Sequence, residues 1–156
     1  MKTPLFSDWF AWNERADIPG KKFPGIYAIA ISKRNMSGDK FTWRKDISYI
    51  GMTNSKGGLK ARLNQFDAVL KERSGHGGAE RFRYDYEDGK KLASLLYVSV
   101  IPFECNVLSR KPADLLIMGS VAMAEYEAWA EYSSRYHVLP KYNEKAKSPK
   151  RKKVTK

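Results

Sequence analysis

The sequence predicts an α/β (α+β) domain: a small, three-stranded, mainly antiparallel sheet flanked by helices. Three observations predict it. Two short β-branched runs, "GIYAIAI" from Gly25 to Ile31 and "ISYIGM" from Ile47 to Met52, follow one another with no helical stretch between them. A helical pattern from Leu59 to Lys71 comes next. A third β-rich run, "LASLLYVSVIPF" from Leu92 to Phe103, precedes a long helical stretch from Pro112 to Tyr136. The order is β–β–α–β–α.

Each element has a local reason. "SDWFAWNER" opens with Ser7 or Asp8 as a helix cap and reads as a short amphipathic helix. Pro19, Gly20 and Pro24 break it, so residues 1–24 read as an N-terminal helix and linker. Gly25 to Ile31 is almost continuously apolar, the pattern of a buried strand. "SKRNMSGDKFTWRKD" is polar and holds Gly38, which suits a loop or an extended hairpin turn. Leu59, Leu63, Phe66 and Leu70 fall on one stripe at helical spacing. "RSGHGGAERFRYDYEDGKK" is polar and glycine-rich, and reads as a long loop around His76. Leu92 to Phe103 alternates poorly and reads as a buried central strand. Pro112 suits the first turn of a helix. "VLPKYNEK" ends the fold at Pro140.

The chain has 156 residues, the size of one domain, and 42% hydrophobic residues, enough for a core. Cys105 stands alone, which excludes an internal disulfide and argues against a structural zinc site. No apolar run approaches a membrane span, and Asp8 lies where a signal sequence would be apolar. The expectation is an intracellular protein, cytoplasmic or nucleoid-associated, with no membrane partner. Net charge is +12, which favours a polyanionic partner, nucleic acid first. Lys141 to Lys156 holds eight Lys/Arg against the single acid Glu144 and supplies +7 of that charge. Residues 144–156 therefore read as a basic, disordered tail, either solubilising or an arm on phosphates.

Both early strands carry a tyrosine, and a buried phenol needs a partner for its O–H. Gly25-Ile26-Tyr27 followed by Tyr49-Ile50-Gly51 resembles the paired signature of the GIY-YIG nucleases. The resemblance covers residues 25–143. It implies an arginine on the first helix, a glutamate on a later helix and an asparagine just beyond it. Arg62 matches the arginine, and Asn143 in "LPKYN" matches the asparagine. Glu125, Glu127 and Glu131 compete for the glutamate. The run "VAMA" before Glu125, with Ala128 and Trp129 after it, favours Glu125, whereas Glu131 has the more usual distance to Asn143. Two features depart from the pattern. The gap between the tripeptides is long and holds "SGDKFTWRK" as an insertion. Phe66 stands one turn after Arg62, where the family often has His or Tyr, and His76 is the substitute among Gly75, Gly77 and Gly78.

The resemblance implies a metal-dependent DNA endonuclease that hydrolyses phosphodiester bonds with an activated water. Glu125 would hold Mg²⁺ or Mn²⁺, since Mg²⁺ keeps several waters and takes few protein ligands. Arg62 offers a fork that matches phosphate geometry. Tyr27 is taken as the general base, its pKa lowered by Arg62 and the metal, with Tyr49 orienting it or the water; the sequence fits either assignment. Basic residues interleaved with aromatics suit DNA: Arg81 and Arg83 among Phe82, Tyr84 and Tyr86; Arg44 and Lys45 beside Trp43; and Lys60 on the first helix. A homodimer that cuts both strands is one arrangement; a repair or mobile-element nuclease with a partner is another. The alternative from a different class is a non-catalytic, basic nucleic-acid-binding module of the same fold, which Phe66 keeps open. A third is a protein-interaction domain whose tail is a localisation signal.

Overall fold

The computed structural model describes residues 5–152. Its sheet has four strands rather than the expected three: β1 (Phe10–Ala11), β2 (Gly25–Ile31), β3 (Ile47–Thr53) and β4 (Leu96–Pro102), in the order β1-β4-β2-β3. Every pair is antiparallel. β2 lies in the interior of the sheet, which is why its sequence is apolar at successive positions rather than alternating. Tyr27 and Ile29 pack on one face against Leu59, Leu63 and Phe66; Ile26, Ala28 and Ala30 pack on the other against Val121, Ala124 and Ala128.

The helices that cover these faces are α1 (Gly58–Leu70), α2 (Gly77–Asp85), α3 (Gly89–Ala93) and α4 (Pro112–Tyr136). α1 and α4 match the periodicity expected of them. Pro112 opens α4, and His137 ends it in the left-handed conformation, three residues before Pro140.

The N-terminal segment departs from the amphipathic helix expected of it. Phe10 and Ala11 pair with Val98 and Tyr97 of β4, and a 3₁₀ helix follows over Trp12–Asp17. Packing gives the reason. In an α-helix residues 9 and 12 would share a face. Here Trp9 and Trp12, 1% and 2% exposed, belong to the cores on opposite sides of the sheet. Burial of each large ring is worth about 1.5–3 kcal/mol or more, enough to override a weak helix preference. The insertion folds onto this same segment: Phe41 stacks on Phe6 at 4.4 Å and meets Trp43 edge-on at 5.2 Å.

The polar run after α1 is not a loop. His76 caps α2, and the Asp88 carboxylate caps α3 by accepting from the Lys90 and Lys91 N–H groups at 3.0 and 3.1 Å. Leu92, expected at the start of a strand, belongs to α3 instead. Nor does the basic tail stand free where it is described. Residues 144–152 lie along α2, with Ser148 3% exposed; residues 153–156 lie outside the described residues. Among the described residues no helix is long and apolar enough to cross a membrane.

Candidate active site

The β2–β3 register sets Tyr27 opposite Gly51 and Ile29 opposite Tyr49. The two tyrosines are thus diagonal neighbours on one face, with ring centroids 6.1 Å apart. Gly51 makes this possible. A Cβ there would sit 2.6 Å from Tyr27 Oη and 2.9 Å from Tyr49 Cε1. Gly78 does the same for the helix above, since a Cβ would lie 2.7 Å from Tyr49 Cζ. The first turn of α2 therefore presses directly onto the Tyr49 ring.

That turn also carries His76 inward. Its Nδ1 accepts the Ala79 N–H at 3.2 Å, which leaves the ring proton on Nε2. Nε2 in turn lies 3.0 Å from Tyr27 Oη and donates to it. Burial, reinforced by the Arg62 charge, pushes the imidazole down to about 3. His76 is neutral at physiological pH and locked in one tautomer. It packs edge-on against Phe66 at 5.0 Å. It reaches Tyr27 from a different element than the helix position where Phe66 stands, and it does not line the cleft described next.

A cleft of about 300 Å³ opens along the β3 edge. Tyr49, Arg62, Glu125, Trp129 and Asn143 line it together with Lys145. Arg62 comes from α1 and Glu125 from α4, so both layers meet at the edge strand. Arg62 Nη1 donates to Gln65 Oε1 at 3.1 Å, while its Nε is buried with no partner among the described residues. Burial pushes the Glu125 carboxyl up to about 7, and the charges of Arg62 and Lys145 pull it only partly back. Tyr49 is also raised, by burial first, with Arg62 opposing. Tyr27 is fully buried beneath the cleft; burial and then Tyr49 raise its phenol, and Arg62 offsets only part of that. The drop in pKa expected for Tyr27 as a base is therefore not what its surroundings produce, because desolvation dominates.

The other expected site residues divide sharply. Asn143 borders the cleft, but its amide is committed to the backbone of Ile50, accepting from N–H at 2.8 Å and donating to C=O at 2.9 Å. Arg83, expected on DNA, is 3% exposed and structural. It pairs with Glu72 at 2.6 Å and donates to the carbonyls of Val69, Tyr86 and Glu87, closing α1 onto α2. Arg44 grips Asp46 through Nε and Nη2, at 2.8 and 2.6 Å, and Trp43 is packed edge-on against Phe41. Lys45 and Lys60 remain exposed, Lys60 in a separate basic groove with Arg15 and Lys21. Arg81 lines the cleft wall and donates to the Ser148 carbonyl. Glu131 pairs with Arg135 at 2.9 Å, and of the three candidate glutamates Glu125 is the one in the cleft.

Sequence reasoning missed Trp129, Lys145 and Lys150 as cleft residues. Trp129 Nε1 donates to the Ile50 carbonyl at 3.2 Å. Its spacing of one helical turn from Glu125 was the available signal. The lysines carried none, because only the folded path of the chain end brings them back.

Among the described residues no group of three or more His, Cys, Asp or Glu stands ready for a metal. Glu125, which forms no ion pair among the described residues, would suit a hard cation that keeps most of its waters, Mg²⁺ or Mn²⁺, and would not suit zinc. No protein-family model matches the chain, and neither a curated protein nor a solved structure matches it.

Proposed function

We propose that the protein is an intracellular, metal-dependent DNA endonuclease of the GIY-YIG type. The observation that carries the reading is the meeting of Tyr49, Arg62 and Glu125 in one cleft. Among the described residues Glu125 forms no ion pair. The Arg62 Nε–H is buried, so an incoming acceptor would meet the outer nitrogens of its fork. A phosphoryl oxygen matches both its charge and its geometry.

In this reading Arg62 binds the scissile phosphate and stabilises the charge that grows on its oxygens. Glu125 would hold the cation, which supplies further charge neutralisation and a more acidic water. Tyr49, which borders the cleft, orients the attacking water through its hydroxyl. Burial keeps that hydroxyl protonated, so it acts as a hydrogen-bond partner. Tyr27 lies beneath it and holds position through His76. Tyr49 thus keeps the orienting role expected of it, while Tyr27 gives up the role of base, because Tyr49 borders the cleft and Tyr27 is buried. With one cleft of this lining among the described residues, cutting both strands calls for two copies or two encounters.

The test is duplex cleavage with and without Mg²⁺ or Mn²⁺. Wild type cuts only with the cation, and Glu125→Ala binds DNA without cutting it. A wild-type protein that binds duplex and leaves it intact under both cations is a nucleic-acid-binding module instead.

A further inference from the structure

The C-terminal strap, residues 144–152, is fixed by a set of specific contacts. Arg151 N–H donates to the Glu80 carbonyl at 2.9 Å. Its guanidinium joins Glu80 at 3.1 Å and Glu72 at 3.0 Å. Ser148 is buried, its Oγ donating to the Glu144 carbonyl at 2.6 Å. Arg81 donates to the carbonyls of Ser148 and Lys145. α2 thus holds the strap at both ends of a short span.

That anchoring has a directional result. Lys145 and Lys150 both line the cleft, and neither forms an ion pair among the described residues. Lys145 lies close enough to Glu125 for its charge to act on that carboxyl. Lys150 lies over the start of α2, its Nζ 3.3 Å from where a Cβ on Gly77 would be. The strap's other basic side chain near this wall, Arg151, is neutralised by its two glutamates. Both cations thus line the same cleft as Arg62.

We propose that Lys145 and Lys150 grip backbone phosphates that flank the bond under attack, and that the Arg151–Glu80 pair is the latch that aims them. The inference rests on the nuclease reading for the position of the scissile bond. Lysine suits this task as a mobile point charge, while the fixed fork of Arg62 takes the reacting phosphate. Substrates therefore extend past the cleft on the α2 side, and duplexes too short to reach the strap bind weakly.

The experiment measures binding of a fluorescent DNA duplex by anisotropy over a salt series, without added divalent cation, using the full chain. Each lost phosphate contact lowers the slope of log K against log salt by about 0.9. The double variant Lys145→Ala/Lys150→Ala is expected to bind more weakly, with a slope shallower by about 1.8. Both side chains are exposed, so its thermal unfolding should match wild type. Glu80→Ala gives the decisive contrast for the latch. Loss of an acidic group on a basic protein should tighten binding if only net charge matters; a broken latch weakens it several-fold. A double variant with wild-type affinity and slope overturns the grip, and tighter binding by Glu80→Ala overturns the latch. Faster cleavage by Glu80→Ala would make the strap a cover and also overturn the proposal. Wild type that binds with a steep salt slope yet never cleaves overturns the nuclease reading and leaves the phosphate contacts standing. Wild type that does not bind duplex overturns both.

Discussion

Asn143 completes the edge of the sheet at Ile50. Among the described residues β3 has no strand beyond it, and the Asn143 side chain supplies the donor and acceptor that a neighbouring strand would have provided. Asn143→Ala removes both bonds and strands the Ile50 N–H, while Trp129 still serves the carbonyl. The expected cost is about 1–3 kcal/mol. A urea midpoint below wild type, with a larger proportional loss of cleavage because Tyr49 is adjacent, is the outcome to look for. Unchanged stability would show that water replaces the amide without penalty.

Glu125 sets a pH dependence. Its carboxyl is raised from 4.5 to about 7, so it is mainly protonated below neutrality. Cation binding needs the ionised form. Mg²⁺ affinity should rise with pH up to about neutral and level off above, and higher Mg²⁺ should move the midpoint to lower pH. The same raised pKa stabilises the cation-free fold below about 4.5, a contribution lost as pH rises to about 7. Glu125→Gln should remove both dependences. Calorimetric Mg²⁺ titrations over a pH series check the first, and urea unfolding without cation checks the second.

His76 acts on stability in the opposite direction. Its folded pKa, about 3, lies below the ordinary 6.5, so the unfolded chain takes up the proton first. Stability is complete above about 6.5 and falls as pH drops towards 3, by about 1.4 kcal/mol per unit at the steepest. Arg62, Tyr27 and Tyr49 face the ring, and none of them compensates an imidazolium. His76→Asn keeps a cap acceptor for α2 and should flatten this dependence. Urea unfolding at neutral pH and in mild acid gives the comparison.

Gly51→Ala tests the packing of the tyrosine pair. The new methyl would meet Tyr27 Oη at 2.6 Å, and that ring is buried and held by His76. Overpacking of this kind costs about 1–3 kcal/mol. Relief requires Tyr27 to leave His76, so cleavage should fall further than stability. A variant with wild-type activity would mean that the tyrosine pair tolerates displacement.

What could be read in advance was what short-range patterns encode. β2, β3, α1 and α4 each carry an unbroken apolar run or a helical stripe, and Pro112 marks the start of α4. α2 hid because its buried side is Gly78, Ala79 and Phe82 in a polar, glycine-rich stretch, and its cap is a histidine, an unusual cap residue. β1 hid because the choice between strand and helix was made by the separate burial of Trp9 and Trp12. Tyr49, Arg62 and Glu125, which the fold brings to one cleft, were singled out by their order along the chain. Arg83 was misread because its charge says nothing of the carbonyls that surround it. Lys145 and Lys150 needed the returning path of the strap, which no local signal encodes.

Asn143, Lys145 and Lys150 are part of the cleft lining, and Asn143 reaches Ile50 across a separation of 93 residues. Ile50 leaves the ribosome long before the Asn143 amide that holds its backbone. A growing polypeptide thus has no finished cavity until its last residues emerge, and that delay is written into the order of the chain.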